Sequence, residues 1–220
     1  RSYLEVDQKL EPLKGKTLLI TGGTGFMGSW VAEMVHYMNQ AHNMDITLYL
    51  MGRSQTRFEN NLPHLINAES IKFIYTDVLG RIVFPKEVNY IIHAAANPDS
   101  RYHATNPFES MRTVADGSAS VFESASLLSD LKSILNVSSS AIYSKRALTS
   151  DKFCEDDLGT FSINNYLPDF FSDSNLYVET LCSAAISQMR LPIVNVRPFT
   201  FCGPHQNIDS PLNRQMKSLP

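Results

Sequence analysis

The chain has 220 residues, 43% of them hydrophobic, and 19 Lys and Arg against 22 Asp and Glu give it a formal charge of -3. That length buries one substantial core, and the near-even mixture of charges gives no reason to expect nucleic acid or an anionic membrane as partner. No apolar run reaches the roughly 18 residues needed to cross a bilayer. The polar segment from Arg1 to Lys16, broken by Pro12, lacks the apolar centre of a secretory signal. The expectation is a soluble, cytoplasmic protein in which Cys154, Cys182 and Cys202, with no CxxC spacing, are reduced and buried thiols.

Apolar runs rich in β-branched residues alternate with segments of helical period, the pattern of a parallel sheet wrapped by crossover helices. Thr17 to Ile20 reads as the first strand, and Val31, Met34, Val35 and Met38 recur on one face of the helix after it. Ile46 to Met51, Ile71 to Tyr75 and Val88 to His93 read as strands two to four. A helix follows with Met111, Val114, Ser118, Val121, Phe122 and Ala125 on one face. Ser133 to Val137 is the fifth strand and Pro192 to Val196 the sixth. Between them, Tyr177 to Met189 reads as a helix carrying Val178, Leu181, Cys182, Ala185, Ile186 and Met189 in register. The stretch from Ser144 to Asn175 has no sustained period and is expected to be a long functional loop.

Between the first strand and its helix lies Thr21-Gly22-Gly23-Thr24-Gly25-Phe26-Met27-Gly28. In that context the glycines serve a sharp turn, close approach of a pyrophosphate to the backbone, and tight packing of helix on strand, while the helix N-terminus offers free N–H groups to phosphate. The expected fold is therefore α/β, a Rossmann-type doubly wound parallel sheet, with Gly22, Thr24, Gly25, Phe26, Met27 and Gly28 binding a nicotinamide dinucleotide. The end of strand two reads Leu50-Met51-Gly52-Arg53-Ser54, without the acid that usually holds the ribose hydroxyls of NAD. Arg53 instead suits a 2′-phosphate, so NADP is expected, with NAD as the alternative.

Four later segments follow in order: Thr76-Asp77-Val78, His93-Ala94-Ala95-Ala96, Ser138-Ser139-Ser140-Ala141-Ile142-Tyr143, and Arg197-Pro198-Phe199-Thr200-Phe201-Cys202-Gly203-Pro204. With the glycine turn they make the chain resemble the extended short-chain dehydrogenase/reductases, and within them the NAD-dependent epimerase/dehydratase family acting on nucleotide sugars. The resemblance runs from about Lys16 to Pro204. It implies that Asp77 and Val78 meet the adenine, that Ala94, Ala95 and Ala96 line the cofactor, that Arg197 and Pro198 lie near the nicotinamide, and that Ser139, with Ser140 as fallback, bonds the reacting sugar oxygen. It also implies a homodimer built from the helices around Asn106 to Ser126 and Tyr177 to Met189. Residues 1–15 then form an N-terminal extension, 16–204 the dinucleotide-binding domain, and 205–220 a remnant of a substrate region that is otherwise truncated or absent.

The family's central pair is a tyrosine and lysine in YxxxK, which one helix face presents together. Tyr177 fits the tyrosine, as the acid/base that exchanges a proton while hydride moves to or from nicotinamide. The lysine position holds Leu181, and none of the 9 tyrosines has a lysine four residues later. Three explanations stand: an engineered or recorded departure that silences an enzyme, natural loss in a cofactor-binding pseudoenzyme, or a Tyr177 that is merely a core helix residue. Thr113 stands where relatives usually carry an asparagine, and Ser139-Ser140-Ala141 lacks the Asp-Glu pair of sugar dehydratases. The resemblance thus implies an impaired epimerase or ketoreductase, or an inactive dinucleotide-binding scaffold. No metal is expected, because Glu155-Asp156-Asp157 is a lone acidic run and His93, His103 and His205 show no ligand spacing.

Overall fold

The computed structural model describes residues 9–97, 99–143, 152–158, 169–201, 203, 204 and 206. Six parallel strands, β1 (Thr17–Thr21), β2 (Thr47–Gly52), β3 (Ile71–Tyr75), β4 (Tyr90–His93), β5 (Ser133–Val137) and β6 (Ile193–Val196), form one sheet in the order β3-β2-β1-β4-β5-β6. Five α-helices lie among the described residues: α1 (Phe26–His42), α2 (Gln55–Asn61), α3 (Ser100–Thr105), α4 (Pro107–Ala125) and α5 (Phe170–Met189). The strand order reverses between β1 and β4, and ligands of such sheets bind in the crevice at the C-terminal ends of the strands beside that reversal.

The strands alternate faces, so each buries two ways. Leu18 and Ile20 of β1 join Ala32, Val35 and Met38 of α1 in one core, whereas Leu19 joins Val114, Val121 and Phe122 of α4 and Val178 and Cys182 of α5 in the other. Every predicted strand forms, with ends shifted by at most two residues. The predicted faces of α1 and α4 hold, with Val31, Met34 and Met111 at their margins.

Two expectations fail. Cys154 is exposed, so only Cys182 of the described pair is a buried thiol, pushed up to about 12 by burial, and Cys202 lies outside the described residues. The expected loop up to Asn175 ends early, because α5 begins at Phe170. The polar run Ser172-Asp173-Ser174-Asn175 is helical for local reasons. Asp169 caps the helix by accepting from Ser172 N at 3.1 Å, and Ser174 Oγ and Asn175 Nδ2 donate back to the carbonyls of Phe170 and Phe171. On α5, Val178, Cys182 and Ala185 are buried, Leu181 is partly buried against the core, and Ile186 and Met189 are exposed.

Candidate functional site

The glycine turn joins the end of β1 to α1. Gly22 has φ +70, and a Cβ there would lie 2.7 Å from Ala94 O, so only glycine fits both the left-handed backbone and the approach to β4. A Cβ on Gly28 would run into the backbone of Gly23, which is how α1 packs so closely on the turn. Gly25 is the N-cap of α1 and provides no side-chain cap, and the first turn contains no acid. The first N–H groups of a 17-residue helix therefore face the crevice with the positive end of the helix dipole behind them. Thr24 is buried in the turn, and Phe26 and Met27 are half-buried.

A buried network, which the sequence reading missed, fixes this turn to β4. Thr21 Oγ1 accepts from Ala94 N at 3.1 Å and Ala95 N at 3.2 Å, so its own proton goes to His93 Nδ1 at 2.8 Å. His93 Nε2 then donates to Ser118 Oγ at 3.0 Å, and Ser118 donates to Val114 O at 2.6 Å. The chain of donors assigns the imidazole its Nε2–H tautomer. Burial lowers the His93 pKa to about 4, so the ring is neutral at pH 7. Ala96 N donates to Ala94 O at 3.0 Å, completing a tight turn of small residues at the end of β4.

At the end of β2, Arg53 is 74% exposed and its guanidinium lies 3.6 Å from Asp77, which also accepts from Leu79 N. Arg53 and Asp77 thus stand together at the edge where a nucleotide ribose and base would lie. The Val78 side chain is turned into the core, tight against Gly117 of α4.

The opposite end of the crevice is built differently. Ser139 caps a 3-10 turn, Ser140–Ile142, with its Oγ accepting from Ala141 N at 3.1 Å. Ser140 N donates to Pro198 O at 3.2 Å, which ties that turn to the end of β6. Arg197 is committed to protein contacts. It makes a forked pair with Glu179 of α5 (Nε to Oε1 at 3.0 Å, an η-nitrogen to Oε2 at 2.7 Å), its other η-nitrogen reaches Glu155 O at 2.8 Å, and its plane lies over the Tyr143 ring. Glu179 raises the Arg197 pKa still further above its ordinary value. Sequence reasoning missed Glu179, although the residue stands two places from Tyr177 in the helix it had identified.

Tyr177 is 48% exposed, on the flank of α5, and Leu181 one turn later packs against the core. Thr113 turns its hydroxyl back to Glu109 O at 2.9 Å, inside its own helix. Asp157 Oδ2 accepts from Cys154 N, and no cluster suited to a metal ion occurs among the described residues.

The family model of NAD-dependent epimerases and dehydratases matches residues 18–219. The chain belongs to that family. Among curated relatives, a UDP-N-acetyl-alpha-D-glucosaminuronate decarboxylase of Bacillus cytotoxicus is 27% identical over 190 residues, covering 86% of this chain and 56% of its own length. A CDP-glucose 4,6-dehydratase of Salmonella typhimurium is 24% identical over 60% of this chain and 37% of its own length. Among solved structures, an epimerase from Methanothermobacter thermautotrophicus superposes with TM-score 0.76 at 22% identity, covering 94% of this chain and 58% of that one. UDP-glucuronic acid 4-epimerase from Bacillus cereus, in complex with UDP-glucuronic acid and NAD, gives 0.72 at 21% identity, over 91% of this chain and 62% of that one. These likenesses establish the fold. The chain spans only about half the length of the curated relatives it matches. No helix among the described residues is long and apolar enough to cross a membrane.

Proposed function

We propose that the chain binds a nicotinamide dinucleotide along the C-terminal edge of its sheet and meets a nucleotide sugar there with little or no hydride transfer. The observation that carries this reading is the pairing of an intact cofactor turn with a helix, α5, that holds neither lysine nor arginine to assist a proton transfer beside the nicotinamide. The bare glycine turn and uncapped helix end fit a pyrophosphate, and Thr21 and His93 hold that turn in place without presenting a charge to it. Nicotinamide, when bound, accepts or returns a hydride at a sugar carbon. The protein must then move a proton on the sugar oxygen, and without a cation beside the acid/base group that step is slow, at a cost of roughly a hundred- to ten-thousandfold.

Nucleotide sugars are the substrate class because the family model and the relatives point there. NADP is favoured through Arg53, whose exposed guanidinium suits a 2′-phosphate. Exposed Phe108 on α4 and Ile186 and Met189 on α5 support a homodimer formed by those helices, which sedimentation tests. Calorimetry with NADPH and NADH, followed by absorbance of reduced nicotinamide during incubation with UDP- and CDP-sugars, tests the reading. Binding without turnover is expected. Rapid turnover by the unaltered chain, or no binding of either cofactor, overturns it.

A further inference from the structure

The helical position that meets the crevice is not the one Tyr177 occupies. α5 starts at the C-terminal edge of the sheet and runs down toward the opposite edge, so its first two turns lie nearest the cofactor. Its inward line is marked by Val178, Cys182 and Ala185, all in the core. Counting back along that line by whole turns gives Ser174 and Asn175, which straddle it, and then Phe171, and Ser174 spends its hydroxyl on the carbonyls of Phe170 and Phe171 in its own helix. Tyr177 lies about 9 Å down the axis from Phe171 and is rotated about 100° from the line through Val178, in agreement with its exposure of 48%.

Contacts fix this first stretch of helix against the crevice. Ser172 Oγ donates to Ala141 O at 2.8 Å, which seats it beside the turn that Ser139 caps. The Phe171 ring lies 4.5 Å from the ring of His103, itself held by Asn97 O and Ser110 Oγ. Asn175 is only 6% exposed. One of its amide protons goes to Phe171 O at 2.8 Å, and no other described residue bonds the amide, which leaves a donor and an acceptor to be satisfied.

A buried orphan lies on the same side of the sheet. Ser138 continues the parallel ladder one residue past β5 through a bond to Val196 O. By strand alternation its side chain shares the face of Ile134, the face α5 covers. Its Oγ is buried with no partner among the described residues. A buried hydroxyl lacking a partner is costly unless a ligand supplies one, and with the spare donor and acceptor of the Asn175 amide on the same side a hydroxyl-rich ligand at this edge would satisfy both.

We infer that Phe171 and Asn175, rather than Tyr177 and Leu181, form the α5 pair facing the nicotinamide half of the cofactor, with Asn175 and Ser138 taking a ribose diol. The inference rests on the proposed dinucleotide binding and explains why turnover is low: an amide holds sugar hydroxyls but carries no charge, and a phenyl ring has no proton to give. Phe171 forms an apolar wall beside the ring it would face.

The test measures dissociation constants of NADH and of ADP, which lacks the nicotinamide riboside, for the unaltered chain and for Asn175→Ala, Asn175→Asp and Leu181→Lys. Asn175→Asp keeps the shape and removes the N–H donors, so it serves where the alanine variant folds poorly, and ADP binding reports an intact fold. Both Asn175 variants are expected to bind NADH about tenfold more weakly, the loss of one or two hydrogen bonds, with ADP unchanged and Leu181→Lys unchanged for both. Unaltered NADH affinity in the Asn175 variants, or a change confined to Leu181→Lys, overturns the inference. Failure of the unaltered chain to bind NADH, NADPH or ADP overturns the proposed function instead.

Discussion

The two ends of the crevice are built on opposite principles. At the β1 end, glycine, alanine and threonine leave a bare backbone turn, and the polar groups beneath it are closed into a neutral buried network. At the β5 and β6 end, bulky and charged side chains interlock: Arg197 with Glu179, Tyr143 clustered with Phe153 and Phe199, Phe171 on His103. The first end is shaped to receive a phosphate. The second holds its ions and rings against one another. A molecule can keep the binding half of such a site while the chemical half changes, because the two halves share few side chains.

That contrast predicts where substitutions hurt most. Gly28→Val should be the most damaging, since its side chain would displace the Gly23 backbone; loss of cooperative melting, or a cost above about 3 kcal/mol, is expected in thermal denaturation. At the other end, Glu179→Ala strands Arg197, whose side chain is 19% exposed, and should cost about 2 to 3 kcal/mol by urea denaturation. If Gly28→Val proves the milder of the two, the glycine turn is less rigid than its geometry requires.

Acid separates the ends as well. The His93 pKa is lowered from 6.5 to about 4 in the folded chain, so the unfolded chain binds the proton first. The stability this contributes is complete above pH 6.5 and is lost as pH falls toward 4, by about 3 kcal/mol. His93→Phe should flatten that part of a stability-against-pH curve. Arg53→Ala should weaken NADPH up to about tenfold and NADH little, as titration would show. The smallest effect expected is that of Leu181→Lys on nucleotide-sugar turnover, which should stay near zero because Leu181 packs against the core nearly two turns beyond Asn175; a large gain would restore Tyr177 to the site.

The alternation of strands and helices was legible because each element carries its period within a few neighbours, and the glycine turn because its strand and helix flank it. Local rules also explain what was not legible. Ser172 to Asn175 reads as loop until Asp169 is seen to cap it and two side chains are seen to bond the preceding turn. Glu179 and Arg197 lie 18 residues apart and meet only when α5 packs beside β6. The link from Thr21 to His93 spans 72 residues and depends on β1 pairing with β4 rather than with the next strand in sequence. A search for tyrosine and lysine four apart finds candidates by spacing alone, and it cannot see that a helix beginning at Phe170 turns Tyr177 outward.

The contact between Trp30 and the segment after β6 gives the chain an optical handle. Trp30 is the 1 tryptophan in the sequence, its indole N–H donates to Pro204 O at 3.0 Å, and Phe26, at the start of the same helix, stacks on Phe201. All tryptophan emission therefore originates beside the glycine turn. Its wavelength reports whether Phe201 and Pro204 rest on α1, and its quenching by energy transfer to reduced nicotinamide would report cofactor occupancy, with no label attached.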